Sequence, residues 1–327
     1  MRRREFIALV GGTAVSWSPA ALAQQRQRRV GVMMSVADDD EGQRRLRAFR
    51  AGLEHAGWSE NRNVRLDVRW SMIDADRAMA AAKELIGAGP DAILTSGTAA
   101  TAAMRQATDT LPVVFTVVSE PVEQGFVRSL ARPGGNMSGF TNFEPSLGAK
   151  WVELLKTIAP QVKRAALIFN PQTAPFAALI SRSAEAAAVT LGVELVRTPV
   201  RDPAEIDAAI EGLQSHAGDG LIVPPDTFLN LHRKRIIDLA SRRQLPAIYP
   251  FRYIVAEGGL LSYGIDLADQ FRQAAEYIDR ILRGANPADL PVQQPTKFEL
   301  VINRKTADAL GLAIAPSLLT SADEVIE

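Results

Sequence analysis

One pattern limits this chain more than any other: a short apolar strand followed by a helix, repeated several times and begun afresh at Arg164. In the first pass, residues 29–34 read as a strand, and Leu46, Phe49 and Leu53 mark the next helix at helical spacing. Gly57 stands where a helix stops. Residues 64–70 alternate with period two, a strand with one wet face. A helix striped by Met79, Ala82 and Ile86, a buried strand at 92–95, a helix from about Thr98 and a buried strand at 112–118 complete the unit. The second pass has strands at 164–169, 193–196, 220–223 and 246–249. Its first helix carries Phe176, Ile180, Ala184 and Ala187 and ends at Gly192; another lies around Ile236 to Ala240. Asp202, Pro203 and Glu205 spell a helix start, with an N-cap, proline at the first turn and a capping-box acid.

Strands alternating with helices predict parallel sheets covered on both faces, and apolar strands suit such double burial. The expected fold class is therefore α/β, with two doubly wound parallel-sheet lobes joined by a hinge. The expected division is an export signal at 1–23, an N-terminal lobe from 29–138 plus about 262–286, and a C-terminal lobe from 139–261 plus about 287–327. Ligands of open parallel sheets bind beyond the carboxyl ends of the strands, so two facing lobes would hold one in the cleft between them. Gly135-Asn136-Met137-Ser138-Gly139 and Glu257-Gly258-Gly259 offer the dihedral freedom a hinge needs.

Composition removes whole classes of chemistry. With no cysteine there is no disulfide, thiol nucleophile, Cys-ligated metal or lipid anchor, and the three histidines are scattered. Neither G-x-S-x-G nor a G-x-G-x-x-G after the first strand is present, so neither catalytic residues nor a nucleotide cofactor is expected. Lys+Arg and Asp+Glu are both 37, without the basic excess of a nucleic-acid binder. Asp38-Asp39-Asp40-Glu41 lacks the glycine and the later glutamate of a calcium loop and precedes a helix, so it reads as a solvated helix start rather than a metal site.

The first 23 residues read as an address. Arg2, Arg3 and Arg4 precede an apolar stretch from Phe6 to about Trp17, too short for a span of roughly 20 residues. Ala21-Leu22-Ala23 forms a small-x-small cleavage site, giving a mature start at Gln24. Arg3-Arg4-Glu5-Phe6-Ile7 fits twin-arginine export, with the Sec route as the alternative. Cleavage would remove three Arg and one Glu, leaving 34 basic and 36 acidic residues. The expected product is a periplasmic protein carrying no lipid.

Over essentially the whole mature length the chain resembles bacterial ABC-transporter substrate-binding proteins of the tryptophan/tyrosine-transport type, with the type I periplasmic binding protein fold. The matching stretches include Ala48-Phe49-Arg50-Ala51-Gly52-Leu53, Arg132-Pro133-Gly134-Gly135-Asn136-Met137-Ser138-Gly139, Lys150-Trp151-Val152-Glu153-Leu154-Leu155, Gly258-Gly259-Leu260-Leu261-Ser262-Tyr263-Gly264 and Pro295-Thr296-Lys297-Phe298-Glu299-Leu300. The resemblance implies capture of a small organic solute, such as an aromatic amino acid, and delivery to an inner-membrane ABC permease with its ATPase. It also implies a monomer. An exported sensor feeding a membrane signalling receptor would use the same pocket.

The candidate ligand residues follow the strand ends. Thr95-Ser96-Gly97-Thr98 ends a strand and opens a helix, where free N–H groups and the helix dipole favour a carboxylate; Ser96, Gly97 and Thr98 either form that seat or simply cap the helix. Met34 and Ser35 end the first strand. Ser119 and Glu120 follow the last strand of the first unit, and Glu120-Pro121 stands where the resemblance implies an Asp-Pro pair whose acid faces the ligand's ammonium; here the acid is one methylene longer. Asp226 matches the family's second cleft acid and Thr227 replaces its usual Asn; each acid serves the ligand or begins a turn or helix. Asn170, Phe251 and Tyr263 complete the expected pocket, Tyr263 being the favoured aromatic wall.

Overall fold

The computed structural model describes residues 27–327 apart from 72–73, 143, 145, 175 and 215–217. The expected export signal lies outside the described residues.

The first lobe is built on β1 (Arg28–Met34), β2 (Val64–Trp70), β3 (Ala92–Ser96), β4 (Val113–Val118) and β5 (Met137–Thr141). They form one parallel sheet in the order β2-β1-β3-β4-β5. Helices α1 (Asp40–His55), α2 (Ala75–Gly87) and α3 (Thr98–Ala107) connect the first four strands. Successive side chains of a strand point to opposite faces. Val30, Val32 and Met34 therefore pack with Phe49 and Leu53 of α1, while Met33 packs with Ala82 and Leu85 of α2 and Met104 of α3.

The second lobe repeats the scheme. Helices α4 (Leu147–Ile158) and α5 (Ala177–Leu191) cover one face, and α6 (Pro203–Glu211), α7 (Thr227–Leu231), α8 (Arg233–Arg242) and α9 (Arg252–Ala256) the other. Its strands are β6 (Arg164–Phe169), β7 (Glu194–Pro199), β8 (Asp219–Ile222), β9 (Ala247–Tyr249), β10 (Leu261–Ile265), β11 (Phe298–Asn303) and β12 (Glu324–Ile326). They run in the order β12-β11-β10-β9-β8-β6-β7, with β10 and β11 antiparallel. Remaining helices are α10 (Leu267–Leu282), α11 (Arg304–Ala309) and α12 (Pro316–Ser321). The local signals hold where they are strongest. Asp202 caps α6 by accepting from the Glu205 N–H, and Gly192 closes α5 at φ 65°, the left-handed position glycine tolerates.

Two expectations change. The first concerns the segment 262–286. Its strand, β10, pairs with β9 and β11 in the second sheet, whereas its helix, α10, packs Phe271, Ala275 and Ile278 onto the first lobe beside α1. The second concerns the glycine hinges. Residues 137–141 are a strand of the first sheet, and Gly258 lies between α9 and β10 inside the second lobe. The chain instead crosses after β5, after β10 at Asp266, and between α10 and β11. On that last passage Gln293 exchanges backbone hydrogen bonds with Gly139 and Thr141.

Candidate functional site

An open cavity lies between the carboxyl ends of the two sheets, the place where open parallel sheets hold their ligands. The first lobe contributes Ser35 after β1, Ser96, Gly97 and Thr98 after β3, Val117 and Ser119 at the end of β4, and Asn142 after β5. The second contributes Thr173 and Phe176 after β6, Pro225, Asp226 and Thr227 after β8, and Phe251 and Tyr253 at α9, with Asn230 from α7. Each loop is where a parallel strand hands over to its helix, which is why one cavity gathers them.

The first-lobe wall is a helix N-terminus. Gly97 caps α3 at φ 93° with no side chain to satisfy the first turn. A Cβ there would lie 2.9 Å from Ser35 Cβ, so only glycine fits without displacement. The Ser35 hydroxyl accepts from the Ala100 N–H at 3.1 Å. The earlier N–H groups of α3 have no preceding helical carbonyl to bond, and the dipole makes this end attractive to an anion.

Facing it, Asp226 is buried at the N-cap of α7. Its carboxylate accepts from the Asn170 N–H at 2.7 Å, the Thr173 hydroxyl and the Phe228 N–H at 2.8 Å. Burial still holds its pKa above the ordinary carboxylate value, because those neutral donors do not offset the loss of water. Among the described residues no basic side chain forms an ion pair with it. Asp226 is thus both a cap and, among the described residues, a carboxylate with no basic partner.

The aromatic wall is Phe251 stacked on Tyr253, ring centroids 5.6 Å apart. The guanidinium of Arg45, a buried residue of α1, lies 5.5 Å from the Tyr253 ring, and that of Arg233 approaches the same ring at 5.5 Å. Burial pushes the Tyr253 phenol up to about 12, so it stays a donor and gives its proton to Asn230 Oδ1. Arg45 pairs with Glu41 at 2.8 Å, and Arg233 pairs with Glu257 at 2.8 Å and reaches Asp39 at 3.5 Å. The acidic run 38–41 therefore supplies Asp39 as the cap of α1 and as a contact across the cleft mouth. Among the described residues no acid or histidine cluster could hold a metal ion.

Of the expected ligand residues, Ser35, Ser96, Gly97, Thr98, Ser119, Asp226, Thr227 and Phe251 line the cavity. Four do not. Met34 is fully buried in the first-lobe core. Asn170 stands behind Asp226, donating its backbone N–H to it while its side chain bonds Gln172 N–H and Arg201 O. Tyr263 stacks on Phe298 with ring centroids 5.8 Å apart, on the α4 side of the second sheet. Glu120 has φ 49° and lies off the cavity wall, near Glu123.

Glu120 nevertheless has a measurable consequence. Burial, then the Glu123 carboxylate, push it up to about 7 from an ordinary 4.5. Burial, then the Asp266 charge, do the same to Glu299 on β11. Between those pH values the folded chain keeps protons that the unfolded chain has released, so stability falls as pH rises from 4.5 through 7. Thermal melts from pH 5 to 8 should show the wild-type midpoint declining, and the Glu120→Gln/Glu299→Gln variant declining less. Parallel profiles would refute this assignment.

Two α/β lobes with a cavity between their strand ends define the type I periplasmic binding protein fold. Residues 29–326 match the family model described as ABC transporter substrate binding protein, and the chain belongs to that family, whose members bind solutes and are not enzymes. A curated tyrosine-binding protein from Clostridioides difficile is 27% identical over 288 residues, covering 88% of this chain and 82% of that one. The crystal structure of an ABC domain from Streptococcus pneumoniae in complex with L-Trp has a TM-score of 0.82 at 26% identity, covering 92% of this chain and 100% of that one. An ABC transporter solute binding protein from Agrobacterium vitis with bound allitol shares the fold at 15% identity, with a TM-score of 0.58 and coverage of 87% and 98%.

Proposed function

We propose that this chain is the exported, monomeric solute receptor of an ABC importer, and that it captures an aromatic α-amino acid as the zwitterion. The solute's carboxylate meets the N-terminus of α3 and the hydroxyls of Ser96 and Thr98. Its ammonium meets Asp226. Its ring lies against Val117, Phe176, Phe251 and Tyr253. The liganded form then docks on the membrane permease, which with its ATPase completes transport.

One observation carries this reading: the cavity has the glycine-capped N-terminus of α3 on one lobe and, on the other, a buried carboxylate that pairs with no basic side chain among the described residues. A zwitterion answers both at once. A simple carboxylic acid or a simple amine answers one and leaves the other desolvated, which is costly. The aromatic amino acids bound by the Clostridioides and Streptococcus relatives support the ring assignment.

The test is thermal unfolding of the chain from Gln24 with L-tryptophan, L-tyrosine, L-leucine, indole-3-propionate and tryptamine. A ligand at about 100 times its Kd adds roughly 2.7 kcal/mol. At about 2–4 °C per kcal/mol for domains of 150–250 residues, the midpoint should rise by several degrees with the aromatic amino acids and less with the two single-charge analogues. A larger shift with indole-3-propionate or tryptamine than with L-tryptophan, or none with any amino acid, would overturn the proposal.

A further inference from the structure

The last turn of β4 is built against the preferences of its own residues. The β4–β5 ladder pairs Val113, Val114 and Phe115 with Met137, Ser138 and Gly139, then slips and resumes at Val118 opposite Thr141. Inside the slip Val117 has φ 57°. A β-branched side chain in the left-handed region is a true outlier, because its Cβ crowds the backbone. Such strain persists only where the surroundings enforce it, and it concentrates at functional sites.

One side chain bridges the two strands at this slip. Gln270 is buried on α10, the helix that follows the crossover from the second sheet to the first lobe. Its Oε1 accepts from the Val117 N–H at 2.8 Å, and its Nε2 donates to the Thr141 carbonyl at 2.7 Å. These are the donor of β4 and the acceptor of β5 at the slip. A carboxamide is suited to this place, since it presents one acceptor and two donors on one planar group.

The strained peptide also sets the ligand wall. Val117 lines the cavity. The preceding residue, Thr116, accepts the Gly97 N–H at 2.9 Å through its carbonyl, and so fixes the residue that caps α3. Two residues after Val117, the Ser119 hydroxyl donates to Asn142 Oδ1 at 2.8 Å on the same wall.

We infer that Gln270 is a positioning residue for solute binding: by clamping both edges of the β4–β5 slip it holds Val117 in its left-handed conformation, and with it Gly97 and Ser119, without touching the solute. The inference about affinity rests on the zwitterion reading above; the clamp itself does not.

Two measurements on the chain from Gln24 separate these. Amide hydrogen exchange, with no ligand present, should show residues 116–119 opening faster in Gln270→Met while the β1 and β3 amides keep their protection. Titration with L-tryptophan should show Gln270→Met binding about tenfold more weakly, the scale expected when buried hydrogen-bond partners are removed. Val117→Gly relieves the backbone strain, so adding Gln270→Met to it should cost less than half the logarithmic affinity loss seen in the wild-type background. That is a coupling which two independent structural defects would not produce. Unchanged exchange at 116–119 overturns the clamp. Faster exchange with unchanged affinity, or strictly additive losses, overturns the positioning role. Failure of wild type to bind L-tryptophan would count against the zwitterion reading and leave the clamp to be judged by exchange, with Val117→Gly as the second variant should Gln270→Met fold poorly.

Discussion

Asp226→Asn should weaken L-tryptophan binding by at least about a hundredfold, since breaking a buried charge pair costs roughly 3–5 kcal/mol and each 1.4 kcal/mol is a factor of ten. Asparagine keeps the size of the side chain and one oxygen for the Thr173 and Phe228 donors, but its NH2 then faces the Asn170 N–H, so a matched ligand without the ammonium must separate the missing charge from that clash. The matched control is indole-3-propionate, which lacks the ammonium: its affinity should change little or improve. Wild-type affinity for L-tryptophan should also rise with pH and then level off. Burial raises the pKa of Asp226 in the free protein, an ammonium partner favours its ionised form, and binding therefore releases a proton until the carboxyl is fully ionised. In Asp226→Asn that pH dependence should vanish. Isothermal titration in buffers of different ionisation enthalpy would detect the released proton. An equal loss for both ligands, with the pH profile intact, would reduce Asp226 to the cap of α7.

The parts of the fold that were legible in the sequence are those specified over a few residues. Val64–Trp70 and Arg164–Phe169 were found to the residue because alternation and apolar runs are local. Asp202, Pro203 and Gly192 marked helix ends through their own backbone chemistry. The partition of 262–286 was not legible for the opposite reason. Nothing within β10 states which sheet it will join; that follows from its pairing with β9 and β11, while α10 right after it packs on the first lobe. The glycines at 135–139 misled similarly. Gly139 is needed because a Cβ there would lie 2.0 Å from the Phe115 carbonyl oxygen, a close-packing demand and not a hinge.

The candidate site divides along the same line. Ser35, Ser96 to Thr98, Asp226 and Phe251 follow strands directly, so the rule for parallel sheets located them. Arg45, Asn230 and Tyr253 sit on helices and reach the cavity only because two lobes face each other. One signal for Arg45 was present: a charged residue beside the apolar stripe of Leu46, Phe49 and Leu53. Glu120 was misplaced because its position after a strand says nothing about a φ of 49° that turns it aside. Tyr263 was misplaced by the two-residue period of β10, which sends its ring to the Phe298 side.

The largest loss of stability should come from adding one methyl group. Gly264 lies on β10 opposite Glu299, and a Cβ there would stand 1.8 Å from the Pro250 carbonyl oxygen and 2.9 Å from its carbonyl carbon. Both obstacles are backbone, so no side-chain rotation relieves them. Pro250 follows the last β9 residue, Tyr249, paired with Ser262, and precedes Phe251 on the cavity wall. To admit the methyl, β9 and β10 must separate or the Pro250–Phe251 turn must move. Overpacking typically costs about 1–3 kcal/mol and sometimes more; with backbone on both sides of the clash, Gly264→Ala belongs at about 3 kcal/mol, a fall of roughly 6–12 °C in the thermal midpoint. The control is Gly87→Ala at the end of α2, where a Cβ would meet nothing within 4 Å. That change should be neutral or stabilising by up to about 1 kcal/mol, because alanine is the better helix former. The two variants differ from wild type by the same atoms, so the contrast isolates packing from composition. If Gly264→Ala melts within a degree of wild type, the turn that carries Phe251 is more compliant than its packing implies. The aromatic wall would then have to be assembled by the solute and not waiting for it.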